Sequence, residues 1–245
     1  SRDWSSDVCS SDLEARAGGR NRFASGVYFQ SVISRCLPAL ALLTLGALLG
    51  CSSGPSAPDE QSYVQQLAAA RAEKNQQFKE APDCDTAEEE PCSPVPPPKR
   101  ASVLPLPYFE PDSTYSVPAT LKLADDRPVF EMPTSTGKPR RMQLVGTLEF
   151  TLQGQPQRLG AFVEDGTGQI RNLFVPFADM TTGTETYSAG RYLDLQPTAT
   201  GYYTIDFNRA YNPYCAYNAS YECPFPPPSN RLKLPIRAGE KAPSA

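Results

Sequence analysis

The 245-residue sequence has no histidine, only three methionines and one tryptophan. Without an imidazole it cannot assemble a Ser-His-Asp or Cys-His catalytic set, an imidazole-ligated metal site or a histidine proton relay. It also lacks an excess of charge of one sign. Its 23 basic and 27 acidic residues are interspersed and leave a net charge of −4, so no nucleic-acid footprint is expected. The mostly apolar run at 37–49 is too short to span a bilayer as a mature helix. No spacing of acidic, cysteine or glycine residues matches a glycosidase, EF-hand or phosphate-loop template, and neither a metal nor a cofactor is expected.

What is present begins with export signals. Residues 3–13, DWSSDVCSSDL, read as the frame translation of a sequencing adapter, and the first Met is Met132. Residues 1–13 are therefore expected to be an assembly artefact, which removes Cys9 from the cysteine count. In 14–50, Arg16, Arg20, Arg22 and Arg35 precede the apolar run, the layout of a secretory signal peptide. The run ends in Leu48-Leu49-Gly50-Cys51, which resembles the bacterial lipobox. That resemblance implies lipidation of Cys51 with acyl chains such as palmitate, a membrane anchor and a periplasm-facing protein of the cell envelope. Ser52, next to the lipidated cysteine, favours the outer membrane over the inner one. Residues 51–58 (CSSGPSAP) form a flexible tether.

Residues 59–80 carry apolar positions at helical spacing behind Asp59, Glu60 and Ser62, which predicts one amphipathic helix with a thin stripe, packed on the domain that follows. The Pro-rich stretch 81–107, with Glu88, Glu89 and Glu90, reads as a surface linker without regular structure. Cys84 and Cys92 lie within it, and Cys215 and Cys223 share the same separation of eight. In an exported chain each pair is expected to close a local disulfide.

From residue 108 the period is two. Tyr115, Val117, Ala119, Leu121 and Leu123 alternate with polar residues. So do Leu144, Gly146, Leu148, Phe150 and Leu152, with Val145 breaking the polar face. A turn at Gln153-Gly154-Gln155-Pro156 leads to a strand at 157–164, followed by strands at 170–177, 192–195, 202–207 and 232–236. The expected fold is mainly β, a small antiparallel sandwich or partly open barrel occupying 108–241, preceded by the helix.

Three segments stand out: TTGTETYSAGRYLD at 181–194, DFNRAYNPYCAY at 206–217 and CPFPPPSN at 223–230, followed by AGEK at 238–241. Together they resemble the signature of the bacterial family called domain of unknown function 1684, over residues 107–241. The resemblance implies a mainly β domain, often on a lipoprotein, with no settled activity.

Read from the residues alone, this region holds eight of the 12 tyrosines. Tyr187, Tyr211, Tyr214 and Tyr217, with Arg191, Asn208 and Asn212, suit a surface that stacks and hydrogen-bonds a small ligand, a glycan or an envelope protein. Asp179, Glu185, Arg191, Asp206 and Cys215 are the residues a hydrolase would use, with Arg191 or Tyr217 activating the Cys215 thiol. The competing structural reading pairs Arg191 with Asp206 or Glu185 to pin the loops. A binding or structural module is the expectation, and a hydrolase-type enzyme is the alternative.

Overall fold

The computed structural model describes residues 59–84, 91–166 and 172–244. The adapter-like segment, the signal-like run, Cys51 with its tether, the acidic residues Glu88 to Glu90 and the start of the strand expected at 170–177 lie outside the described residues.

Helix α1 (Glu60–Glu80) starts where the Asp59 carboxylate accepts the Gln61 amide, and Glu60 and Lys79 sit at the ends the helix dipole favours. Only Leu67 and Phe78 of this helix are buried. A polar stripe fastens it to the rest of the chain. Tyr63 donates to Asp206 (2.8 Å), Arg71 to the Phe109 carbonyl (3.0 Å) and Lys74 to Glu240 (2.7 Å), while Asn75 accepts the Leu106 amide (2.8 Å).

The stretch expected to be a structureless linker is packed. Residues Pro97–Lys99 form a 3-10 turn that runs into the one-turn helix α2 (Arg100–Val103). Val95, Val103 and Leu106 bury against Phe78 and Tyr217 in a small second core. Proline count concealed this, because the valines and leucines between the prolines have an apolar surface to reach, and burying each is worth roughly 1.5–3 kcal/mol. Cys84 and Cys92 are bridged as expected, with Cα atoms 4.8 Å apart. On the chain-entropy estimate a loop of that length contributes about 2.5 kcal/mol.

The domain is mainly β. Strands β1 (Ser116–Leu123), β2 (Val129–Met132), β3 (Arg140–Leu152), β4 (Gln155–Glu164), β5 (Leu173–Phe177), β6 (Arg191–Leu195) and β7 (Tyr202–Asp206) form one antiparallel sheet curled into a half-barrel. The order is β6-β5-β4-β3-β1-β7, with β2 also paired to β3. A two-residue turn joins β3 to β4, with both Gln153 and Gly154 at positive φ, the geometry whose twist matches the hairpin. Leu148, Phe150, Leu152, Leu159, Val175, Phe177, Ile205 and Phe207 fill the main core on one face. Met132, Met142 and Phe162 make a smaller cluster, packed by Leu144 and Phe174.

Two departures from the expected pattern have local causes. Val145, which spoiled the alternation, is the extra residue of a bulge between Leu144 and Gly146. The bulge reverses parity, sending Val145 into the main core and Leu144 to the smaller cluster. The strand expected at 232–236 is absent from the ladder, although Leu232, Leu234 and Ile236 are buried in the main core as alternation demands. Its backbone pairs with the segment after β5 only in part, the Leu232 amide donating to the Ala178 carbonyl and the Leu234 carbonyl accepting the Met180 amide, and at Ile236 side chains take over: Asp179 accepts its amide and Arg191 donates to its carbonyl. Strand β2 occupies the sheet instead, a segment too short and too exposed, with Phe130 47% accessible, to announce itself by period.

Candidate functional site

Arg191, at the start of β6, is 1% exposed. Its Nη1 donates to the Ala238 and Glu240 carbonyls, and its Nη2 to Asp179 Oδ2 (3.0 Å) and the Ile236 carbonyl (2.8 Å). The guanidinium also stacks over Phe177, 5.2 Å from the ring centre. Asp179 is equally committed, since its Oδ1 accepts the Thr181 amide, the Thr181 hydroxyl and the Ile236 amide. Arg191 therefore pairs with Asp179, in place of the expected Asp206 or Glu185, and the two staple the C-terminal segment onto the core. Burial lowers the Arg191 pKa, and the adjacent Asp179 carboxylate opposes that shift.

The other expected acids are also bound up in structure. Asp206 Oδ1 caps the turn after β7 by accepting the Asn208 amide (3.0 Å), accepts the Tyr63 hydroxyl, and its Oδ2 pairs with Arg209. Asn208 holds the chain before β1 through the Asp112 amide (3.0 Å) and carbonyl (2.8 Å). Glu185 forms a surface pair with Arg237, whose hydrogen bond lowers its pKa. Asn212 donates to Glu240 from its amide and to the Lys241 carbonyl from its side chain.

Glu240 is the residue sequence reasoning passed over. Its carboxylate is buried and takes Lys74 (2.7 Å) and Tyr108 (3.3 Å) on Oε1, and the Asn212 amide (2.8 Å) and Tyr217 hydroxyl (2.9 Å) on Oε2. One acid thus joins α1, the segment before β1, the loop after β7 and the C-terminal segment. An acid beside Gly239 in AGEK was the available signal, but nothing in its spacing pointed to Lys74.

The expected Cys215–Cys223 bridge is not formed. Both residues are buried thiols, and the Cys223 sulfur accepts the Cys215 amide at 3.0 Å. Neither expected activator touches Cys215, because Tyr217 is bound to Glu240 and Arg191 to Asp179. Its neighbours are Cys223, Ser135 and Tyr187, whose hydroxyl lies 3.8 Å from the sulfur. Hydrogen bonding from Cys223 is the main influence lowering the Cys215 pKa, to about 7, against a smaller opposing effect of burial. Cys223, which keeps the shared proton, is raised.

The open chemistry lies in a cleft of about 710 Å³ between α1, strands β5 and β6 and the loops after β7. Phe78, Phe174, Tyr192, Tyr211, Tyr214 and Tyr221 supply its aromatic lining. The helix contributes Ala70, Glu73, Lys74, Gln77 and Phe78, which is one helical face. Lys74 lies 5.1 Å from the centre of the Phe78 ring and 5.2 Å from that of Tyr211. Arg140 and Glu222 pair at 3.3 Å, and Tyr211 donates to Asp194 (2.5 Å), whose pKa burial raises. Of the ligand-binding residues expected from sequence, Tyr211 and Tyr214 line this cleft. Tyr187 and Tyr217 line a second cavity of about 590 Å³, while Arg191, Asn208 and Asn212 are buried in the framework. Among the described residues, no three or more Cys, Asp or Glu side chains are grouped to hold a metal ion.

A family model described as "Protein of unknown function (DUF1684)" matches residues 104–241. The solution NMR structure of an uncharacterized protein from Haloarcula marismortui is similar to this chain, with 37% sequence identity and a TM-score of 0.57, over 74% of this chain and 95% of that one. No curated protein matches.

Proposed function

This chain belongs to the DUF1684 family of proteins of unknown function, and from that premise we propose that its β domain is a binding module for an uncharged saccharide, carried on a lipid-anchored envelope protein. The observation that carries this reading is the cleft, which joins aromatic walls to polar groups and whose two cations are already paired. Lys74 is paired with Glu240, Arg140 with Glu222, and Asp194 accepts the Tyr211 hydroxyl, while Glu73 stands exposed at the rim. An anionic ligand would have to break an ion pair to be held, because both cations of the cleft are already paired. A sugar ring offers an apolar face to an aromatic side chain and hydroxyls to the polar groups around it.

The hydrolase alternative is weaker, because Asp179, Glu185, Arg191 and Asp206 already hold structural partners, and Cys215 has no base of the expected kind beside it. The anchor rests on the lipobox-like Leu48-Leu49-Gly50-Cys51, and Ser52 favours the outer membrane.

The test is calorimetry and NMR titration of the whole chain with a panel of neutral oligosaccharides built from hexoses and N-acetylhexosamines. Saturable binding is expected for at least one, with perturbed signals from Phe174, Tyr211 and Tyr214. Tyr211→Ala and Tyr214→Ala are each expected to weaken it about tenfold or more, equivalent to about 1.4 kcal/mol. No binding across the panel, or binding that survives both substitutions, overturns the proposal.

A further inference from the structure

Two pairs of cysteines with the same separation of eight residues stand in different states in this molecule. Cys84 and Cys92 are bridged, whereas Cys215 and Cys223 are thiols whose sulfur and amide groups already touch. We propose that Cys215 and Cys223 form a reversible thiol–disulfide site, with Cys223 in the wall of the cleft.

Three observations carry this. First, the two residues are in direct contact: the Cys215 amide donates to the Cys223 sulfur at 3.0 Å, and the two thiols hydrogen-bond to each other, which brings the sulfurs that must join side by side. Second, the surroundings are polar. The Tyr187 hydroxyl lies 3.8 Å from the Cys215 sulfur, and the Ser135 hydroxyl oxygen accepts the Cys223 amide at 3.1 Å. Structural cysteines are commonly set among apolar groups and inert, whereas hydrogen-bond donors around a sulfur favour its thiolate. Third, Cys223 lines the 710 Å³ cleft, which gives a reagent a route to the pair.

The partner is a disulfide, either a small-molecule one or that of a dithiol oxidoreductase. Cys215 releases its proton to solvent, and the resulting thiolate attacks one sulfur of the acceptor. The acceptor S–S bond breaks, a mixed disulfide forms, and the departing thiolate takes up a proton. Cys223 then loses its proton and attacks the Cys215 sulfur of the mixed disulfide, forming the Cys215–Cys223 bond and expelling the second acceptor thiolate, which is protonated in turn. The protein loses two electrons and two protons, and the acceptor gains both. The site is independent of what fills the cleft, so failure of the saccharide reading leaves it standing.

The experiment equilibrates the whole chain in glutathione buffers of rising disulfide-to-thiol ratio, quenches with an alkylating mass tag and maps the peptides. Tags at Cys215 and Cys223 are expected to disappear together at an intermediate ratio and to return on going back, while Cys84–Cys92 stays bridged throughout. In Cys215→Ser, Cys223 is expected either to keep its tag or to carry a single glutathione, and to form no bridge within the chain. Persistence of both tags at every ratio overturns the proposal. So does a Cys215–Cys223 bond that resists reduction as long as Cys84–Cys92 does, or a bridge from either residue to any other cysteine.

Discussion

Arg191 is the residue on which the C-terminal segment depends. Three backbone carbonyls and one carboxylate converge on its guanidinium, and at 1% exposure water cannot replace it. Arg191→Met keeps much of the side-chain volume but leaves Asp179 buried without its counter-charge, so urea unfolding is expected to show a loss of about 3–5 kcal/mol. A loss under about 1 kcal/mol would mean that the pair is dispensable, as surface pairs are. Cys215 invites a different measurement. Its pKa of about 7 lies below that of an ordinary thiol, so the folded state favours the thiolate. Because the thiolate is the nucleophile, the alkylation rate at Cys215 is expected to rise with pH through about 7 and level off above it. Any stability the ionised form adds is present at high pH and is lost as pH falls through about 7. A rate that climbs only beyond pH 8.5 would return Cys215 to the ordinary range.

At the scale of the element, the bulge in β3 decides which residues face the core. Gly146 sits at the bulge opposite Leu123 of β1, and a Cβ built there would lie 2.3 Å from the Lys122 carbonyl oxygen. Backbone must move to admit it, so Gly146→Ala is expected to cost about 1–3 kcal/mol by thermal or urea unfolding, despite the usual stabilisation when glycine leaves a strand. An unchanged stability would show that β1 can retreat freely from β3. The same bulge marks the limit of what the sequence disclosed. Alternation located β1 and β3, the turn at residues 153–156 located β4, and the Asp59 start located α1, because each is a local rule that the chain obeys over a few residues. Val145 looked like an error in the pattern because period two cannot register an inserted residue. The 232–236 segment kept its alternation but not its ladder, since its backbone pairing with residues 178–180 gives way at Ile236 to the Asp179 and Arg191 side chains. The proline-rich stretch misled for a related reason: composition reports which regular structures are difficult, not which apolar residues have a surface to meet.

At the scale of the whole molecule, the candidate site is assembled from segments far apart in sequence, which is why so little of it was legible. Tyr211 and Tyr214 were found because they crowd a short loop. Phe174, Tyr192 and Asp194 come from strands, and Lys74 and Phe78 from a helix about a hundred residues earlier. Glu240 ties that helix to the loop after β7, so the helix is a wall of the site and not a spacer between an anchor and a domain. None of the described helices is long and apolar enough to cross a membrane. A single acyl chain binds only marginally, while two or more hold firmly, at about 0.8 kcal/mol per buried methylene. If Cys51 is lipidated, the chain expressed in a bacterium will incorporate labelled palmitate and partition into the detergent-rich phase of Triton X-114. Cys51→Ser is then expected to lose the label and move to the aqueous phase, with its unfolding curve unchanged, because the first described element, α1, starts at Glu60. Equal partitioning of the two proteins would remove the anchor and with it the envelope placement, while leaving the cleft and its saccharide test untouched.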